Sequence, residues 1–345
     1  MIDRMKMRNK CAALRFVFRL LTLAVGVSVL GGYALINTTM AEGAEKKYEG
    51  LKIRWATQPS QTQAAIAEEL GYFKEEFEAD GVAVELRIFA SGPPIIEAFA
   101  AGELDFGQVG NQPAIQAIAN GIKIDIIAAY MTSDGSSSGL VARNDSGIKT
   151  LSDIRGRKVA YTVGTVAHQL LLKLLQSENL TENDLQLISL RLGDIPAALE
   201  SGSIDAAVTW EPYLTSILEK GNSHLVVNGT GFPNSSSIII GKKTFLEQYP
   251  ELVVRLLKVL DRSEKWSRQH IDESVRLLSK RTGVAESAYR ASFRAIDFSL
   301  YLDEQRVNAL ADTAEFLFEQ GTIRERLNLK DFIDTSSLEK AGITK

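Results

Sequence analysis

Cysteine is almost absent from the 345-residue chain: Cys11, in a basic N-terminal segment, is the single one. Beyond it there can be no disulfide, thiolate metal site or cysteine nucleophile. Histidine is nearly as scarce, and His168, His224 and His270 are too far apart to show metal-ligand spacing. No stretch past the N-terminus gathers Lys and Arg, and the formal net charge is -4, which argues against nucleic acid as a partner. There is no P-loop or dinucleotide fingerprint, and the acidic residues form no distinctive catalytic pair. The residues thus point to neither a cofactor nor a metal, and to a role other than catalysis.

The composition, 45% hydrophobic and 24% charged, is that of a soluble globular protein with a sizeable core, in one large or two ordinary domains. The N-terminus stands apart. Arg4, Lys6, Arg8, Lys10, Arg15 and Arg19 face one acid, Asp3, and the run from Leu20 to Ile36 carries no charge. Small residues follow, with Thr39-Met40-Ala41 as a cleavage site. These are the parts of a secretory signal peptide spanning 1–41, which predicts a mature N-terminus between Ala41 and Lys47. A single uncleaved membrane anchor is the alternative. Cys11 precedes the apolar run, whereas a lipoprotein cysteine would follow it.

From Leu51 onward, short apolar strands alternate with amphipathic helices. The pattern predicts strands at 51–56, 82–89, 105–109 and 124–130, and helices at 63–76, 94–101 and 114–120. This is α/β architecture with a largely parallel sheet. The Asp134–Gly139 and Gly229–Asn234 segments interrupt the rhythm and enclose a second α/β series from Leu151 to about Val227. The reading is one lobe (139–230) inserted in another (50–135 and 238–345), joined by two crossover strands around Leu140–Arg143 and Ser237–Ile240. The mostly helical C-terminus would pack on the first lobe. The two series share a pattern: Ser91-Gly92-Pro93-Pro94, then Gly102-Glu103-Leu104-Asp105, then Asn111-Gln112-Pro113 in one, and Gly193-Asp194-Ile195-Pro196, then Gly202-Ser203-Ile204-Asp205, then Trp210-Glu211-Pro212 in the other.

The candidate site lies at the strand-to-helix joints, where ligands collect beyond the carboxyl ends of strands in open α/β sheets. Joints containing Gln61, Ser91-Gly92, Asn111-Gln112, Thr165, Asp194 and Trp210-Glu211 carry capping residues or a proline in the first turn. A helix start presents free N–H donors and partial positive charge, which suits an anion. The joints hold almost no Lys or Arg, so an anion there is bound by neutral donors. That favours a compact monovalent oxyanion such as a sulfonate over a phosphate ester, which more often recruits Arg. His168, at the start of a helix 168–176, is either a donor to the anion or a solvent-facing residue. Trp210 is either a ligand platform or a core residue. Glu211 is either a helix cap or the partner of a ligand ammonium.

Leu151-Ser152-Asp153-Ile154-Arg155-Gly156-Arg157-Lys158-Val159-Ala160 resembles the entry to the second lobe of type II periplasmic binding proteins. With Gly110-Asn111-Gln112-Pro113, Thr165-Val166-Ala167-His168 and Ala207-Val208-Thr209-Trp210-Glu211-Pro212-Tyr213, it is similar to the sulfonate, taurine and nitrate branch. The resemblance implies a monomeric receptor that closes two lobes on a small organic anion and delivers it to an ABC permease and its ATPase. It implies that Gln61, Ser91, Gly92, Asn111 and Gln112 face the cleft from the first lobe, and Thr165, His168, Asp194, Trp210 and Glu211 from the second. An aliphatic sulfonate is the first-choice ligand, with taurine or nitrate as alternatives. The rivals of other classes are an enzyme resembling thiamine-pyrimidine synthases, a regulator's effector domain, and an anchored sensor.

Overall fold

The computed structural model describes residues 47–60, 62–232 and 235–345. The N-terminal leader, with Cys11 and the cleavage site, lies outside them, as does Gln61. The chain divides at Gly50, and the unit Gly50–Lys345 carries the architecture.

The first series runs β1 (Lys52–Thr57), α1 (Thr62–Glu69), α2 (Tyr72–Phe77), β2 (Ala83–Ile88), α3 (Gly92–Ala100), β3 (Phe106–Gly110), α4 (Asn111–Ala119) and β4 (Ile124–Ser133). The second runs β5 (Ser138–Arg143), β6 (Lys158–Tyr161), α5 (Val166–Ser177), β7 (Gln186–Ser189), α6 (Ile195–Ser201), β8 (Ala206–Trp210), α7 (Tyr213–Glu219) and β9 (Ser223–Asn228). Then follow β10 (Ser235–Lys242), α8 (Lys243–Gln248), α9 (Pro250–Gln269), α10 (Ile271–Thr282), α11 (Glu286–Ala295), α12 (Glu304–Glu319) and α13 (Ser336–Ala341). The single helix expected over 63–76 is two, because Gly71 adopts φ 73° between α1 and α2, a left-handed conformation that ends a helix and suits glycine. The helix expected from His168 starts earlier, at Val166.

Two five-stranded sheets form, in the orders β2-β1-β3-β10-β4 and β7-β6-β8-β5-β9. Their topology is the same. Three parallel strands are followed by a strand, β10 or β5, that runs antiparallel to both neighbours. The sheets are therefore mixed rather than largely parallel. The shared Gly-x-x-Asp pattern has a structural reason. Gly102 and Gly202 turn the chain at φ 74° and 71° after α3 and α6. Asp105 then accepts from the Arg54 N–H at the start of β1, and Asp205 from the Lys158 N–H at the start of β6, each at 2.9 Å. Each aspartate ties the third strand of a parallel trio to the second.

β3 and β8 are almost wholly buried and mostly apolar, with Gln108 and Thr209 their polar residues, as strands covered on both faces require. In the first core Trp55 stacks on Phe106 with centroids 5.4 Å apart, and Phe245 meets Phe106 edge-on at 5.1 Å. The second gathers Leu140, Val159, Ala160, Leu171, Leu174, Val208 and Trp210. Burial of each large apolar side chain contributes about 1.5–3 kcal/mol.

The chain leaves the first sheet after Ser133 and enters the second at Ser138. It leaves the second after Asn228 and re-enters the first as β10. The Gly229 N–H donates to the Ser138 carbonyl at 2.9 Å, which ties the two passages together. Among the C-terminal helices, α9 packs on α1, α2 and α13, and α12 packs on α4. The expectation that this block rests on the first lobe needs one correction: α11 lies against α7, and Ser287 donates to Glu219 across that contact at 2.7 Å. Among the described residues no helix is long and apolar enough to cross a membrane.

Candidate functional site

Three helix starts meet at one cavity of about 30 Å³ between the sheets. Gly92 is the first residue of α3, Gly110 precedes α4, and Thr165 precedes α5; all three line it. They follow β2, β3 and β6, so the cavity sits at the carboxyl ends of parallel strands. No side chain caps these starts from the preceding residue. Thr165 turns its hydroxyl back to donate to the Thr162 carbonyl at 2.7 Å, which leaves the first-turn N–H groups of α5 without a hydroxyl cap. Helix starts of this kind attract negative charge.

Glycine is required at position 92. A Cβ there would lie 2.6 Å from Pro113 Cγ and 3.1 Å from Val109 Cγ2, so only a bare backbone lets α3 begin against the start of α4. The walls from the two sheets touch. A Cβ on Gly110 would lie 3.6 Å from Val166 Cγ1, and one on Gly164 would lie 3.5 Å from Pro93 Cγ. The space between them suffices for a water or two.

The remaining lining residues are Gln58, Ser60, Pro113, Tyr130, Met131, Val166, Trp210 and Ser237. None is ionisable near neutral pH, so the polar side of the site is made of backbone N–H, hydroxyl and amide groups. Gln58 donates to the Gln108 carbonyl at 3.3 Å. Trp210 is both wall and core, since it lines the cavity and packs in the second hydrophobic cluster.

Of the residues expected from the sequence, Gly92, Thr165 and Trp210 come together at this cavity. Ser91 is buried just before α3. Asn111 is committed elsewhere: its amide donates to Thr313 Oγ1, and its oxygen accepts from the Gln112 N–H, both at 2.9 Å. Gln112 is buried with its Oε1 unpartnered. His168 lies against the Tyr161 ring at 4.8 Å, accepts from the Gly164 N–H at 3.4 Å, and has Glu182 3.8 Å away. Burial pushes its pKa down, opposed by Glu182. Asp194 is exposed and bonds Arg191 at 3.2 Å. Glu211 folds onto its own helix, accepting from the Thr215 hydroxyl at 2.7 Å and the Thr215 N–H at 3.2 Å. Burial raises its pKa, and those two bonds oppose the rise.

Sequence reasoning missed Gln58, Tyr130, Met131 and Ser237, and of the joint Ser60-Gln61-Thr62 it singled out Gln61 rather than Ser60. Gln58 and Ser60 sit just past β1, where the strand-end rule points. Tyr130, Met131 and Ser237 lie on β4 and β10, close to the passages between sheets, and nothing local marks them.

The sequence matches the NMT1/THI5-like family over residues 58–274. The chain belongs to that family. A relative from Bacillus subtilis (strain 168), named "Putative aliphatic sulfonates-binding protein", is 33% identical over 305 residues, covering 87% of this chain and 91% of its own length. The taurine-binding periplasmic protein of Escherichia coli (strain K12) is 27% identical, with 80% and 88% covered. The solved alkanesulfonate-binding protein of Xanthomonas axonopodis pv. citri, bound to MOPS, superposes with a TM-score of 0.75 at 20% identity, covering 83% of this chain and 99% of that one. The fold here is that of periplasmic binding proteins.

Proposed function

We propose that the chain is the solute-binding receptor of an ABC uptake transporter and binds an aliphatic sulfonate between two lobes. The lobes are 50–135 with 238–345, and 139–230. The carrying observation is the convergence of three helix starts, none capped by the side chain of the residue before it, two from one sheet and one from the other, on a cavity with no charged side chain. A sulfonate needs several donors and no proton acceptor, and the backbone N–H groups supply them. Trp210, Met131, Val166 and Pro113 offer apolar surface to an aliphatic tail.

The arrangement of Glu211 favours an uncharged tail over taurine. Its carboxylate is occupied by Thr215, which leaves it poorly placed to hold a ligand ammonium. The narrowness of the cavity implies that ligand enters an opened form and selects the closed one through contacts with both lobes. A periplasmic location and service to an ABC transporter are supported by the names of the taurine-binding relative and of a solved neighbour described as part of a sulfonate ABC transporter. Delivery to a permease and ATPase by a monomer completes the proposal, as the family resemblance implies. A binding role rather than an enzymatic one fits a wall without histidine, cysteine, lysine or carboxylate.

Calorimetric titration with 1-pentanesulfonate, taurine, nitrate and sulfate tests the reading. Pentanesulfonate should bind at least tenfold tighter than taurine. Tighter binding of taurine would transfer the assignment to the aminosulfonate, and no heat with any of the four would overturn it.

A further inference from the structure

A larger cavity, of about 540 Å³, lies beside the passage from β4 to β5 and shares no lining residue with the cleft. Its volume is within the range of about 300–1,000 Å³ usual for small-molecule sites. Most charges around it are already neutralised. Arg268 bonds Glu264 and Asp297, and Asp297 also accepts from Arg306 at 2.7 Å. Two are not. Arg294 has neither an ion pair nor a hydrogen bond among the described residues, and Asp134 has no cation partner, its carboxylate accepting from the Ser136 N–H at 2.9 Å and from neighbouring serine hydroxyls. Hydrogen bonds from Ser136 hold the Asp134 carboxyl below its ordinary range, so it is ionised near neutral pH. Phe293 and Ile271 supply apolar wall, and Thr132 contributes a buried hydroxyl oxygen without a partner.

A lone cation and a lone anion on one cavity select against simple ions. A monoanion drawn to Arg294 is repelled by Asp134, and a monocation meets the converse. A zwitterion satisfies both, with apolar surface left for a side chain. We propose that this cavity binds a small zwitterionic amino acid, with its carboxylate on Arg294, its ammonium on Asp134 and its apolar side chain against Phe293 and Ile271.

The test is calorimetric titration of the exported protein with L-leucine, alone and with the cleft saturated by 1-pentanesulfonate. Leucine should bind one to one in both conditions. Arg294→Gln and Asp134→Asn should each weaken it by about tenfold or more, as expected for loss of a charge-assisted hydrogen bond. Both side chains are exposed, and melting curves check that the variants remain folded. Absence of leucine binding at millimolar concentration, its displacement by pentanesulfonate, or equal affinity in wild type and both variants would each overturn the proposal.

Discussion

Gly135 and Gly229 meet where the two chain passages cross: a Cβ on Gly135 would lie 2.0 Å from the Gly229 carbonyl oxygen, and one on Gly229 would lie 2.8 Å from the Gly135 oxygen. Gly135 also has φ 98°, a conformation that L side chains rarely adopt. Gly135→Ala should therefore cost about 3 kcal/mol or more, from strain and backbone collision together. Gly231→Ala, at φ 87° with nothing nearby, should cost only the strain, about 1 kcal/mol. Urea unfolding of both variants checks this, and equal losses would contradict the close approach.

Lys173 on α5 places its ammonium 5.3 Å from the centre of the Phe316 ring on α12. The contact joins a helix packed on the second sheet to one packed on the first, without lining the candidate cavity. Burial pushes the Lys173 pKa down, with Asp312 opposing, so the ammonium is partly desolvated where it meets the ring. Such contacts contribute about 0.5–1 kcal/mol when exposed and more when dry. Phe316→Leu should weaken ligand binding by about two- to fivefold. Small-angle scattering should show a smaller compaction at a fixed subsaturating ligand concentration. Unchanged affinity would place the contact outside the closing motion.

Glu211 gives a prediction in pH. Its folded-state pKa lies above the ordinary carboxylate value because burial outweighs the bonds from Thr215. The folded protein therefore holds this proton more tightly than the unfolded chain does, and the contribution of Glu211 to stability rises as pH falls from neutrality toward the unfolded value. Glu211→Gln removes that dependence. The stability difference between wild type and Glu211→Gln, measured by denaturation from pH 7 to pH 4.5, should shift in favour of wild type on acidification. A flat difference would refute the desolvated state of the carboxyl.

Asn111 separates structural from ligand roles. Its bond to Thr313 joins α4 to α12 in the buried core. Asn111→Ala leaves the Thr313 hydroxyl without that donor and should cost about 1–3 kcal/mol of stability. Sulfonate affinity, measured well below the melting temperature, should stay within about twofold of wild type. A large affinity loss at unchanged stability would return Asn111 to the site.

Local chemistry made part of this legible and left part hidden. The paired Gly-x-x-Asp turns are readable because a left-handed glycine and a carboxylate aimed at the next strand act over a few residues. The antiparallel setting of β5 and β10 is not, since strand direction there depends on passages between sheets that are distant in sequence. Gly92 and Thr165 are recognisable as residues of the candidate cavity because a joint after a parallel strand has to face the sheet's carboxyl edge. Asn111, His168, Asp194 and Glu211 occupy the same kind of joint, yet their side chains turn to Thr313, Tyr161, Arg191 and Thr215. Residue type and position along a helix do not decide which neighbour a polar group takes. Tyr130 and Ser237 become cavity residues only once two strands far apart in sequence are brought together.

The strand order also dictates a schedule of assembly. All strands of the β7-β6-β8-β5-β9 sheet come from the continuous stretch Ser138–Asn228, so that sheet can be completed before the rest of the chain exists. The other sheet cannot. β3 and β4 have no direct pairing and are joined solely through β10, which begins about a hundred residues after β4 ends. Until β10 arrives, β3 and β4 each carry an unpaired edge beside apolar residues such as Val109, Ile126 and Ala128. Such edges are open to pairing with other chains. β3 and β4 precede the inserted block yet gain their shared neighbour only after it, and binding of chaperones during synthesis should concentrate on these two strands rather than on the inserted block.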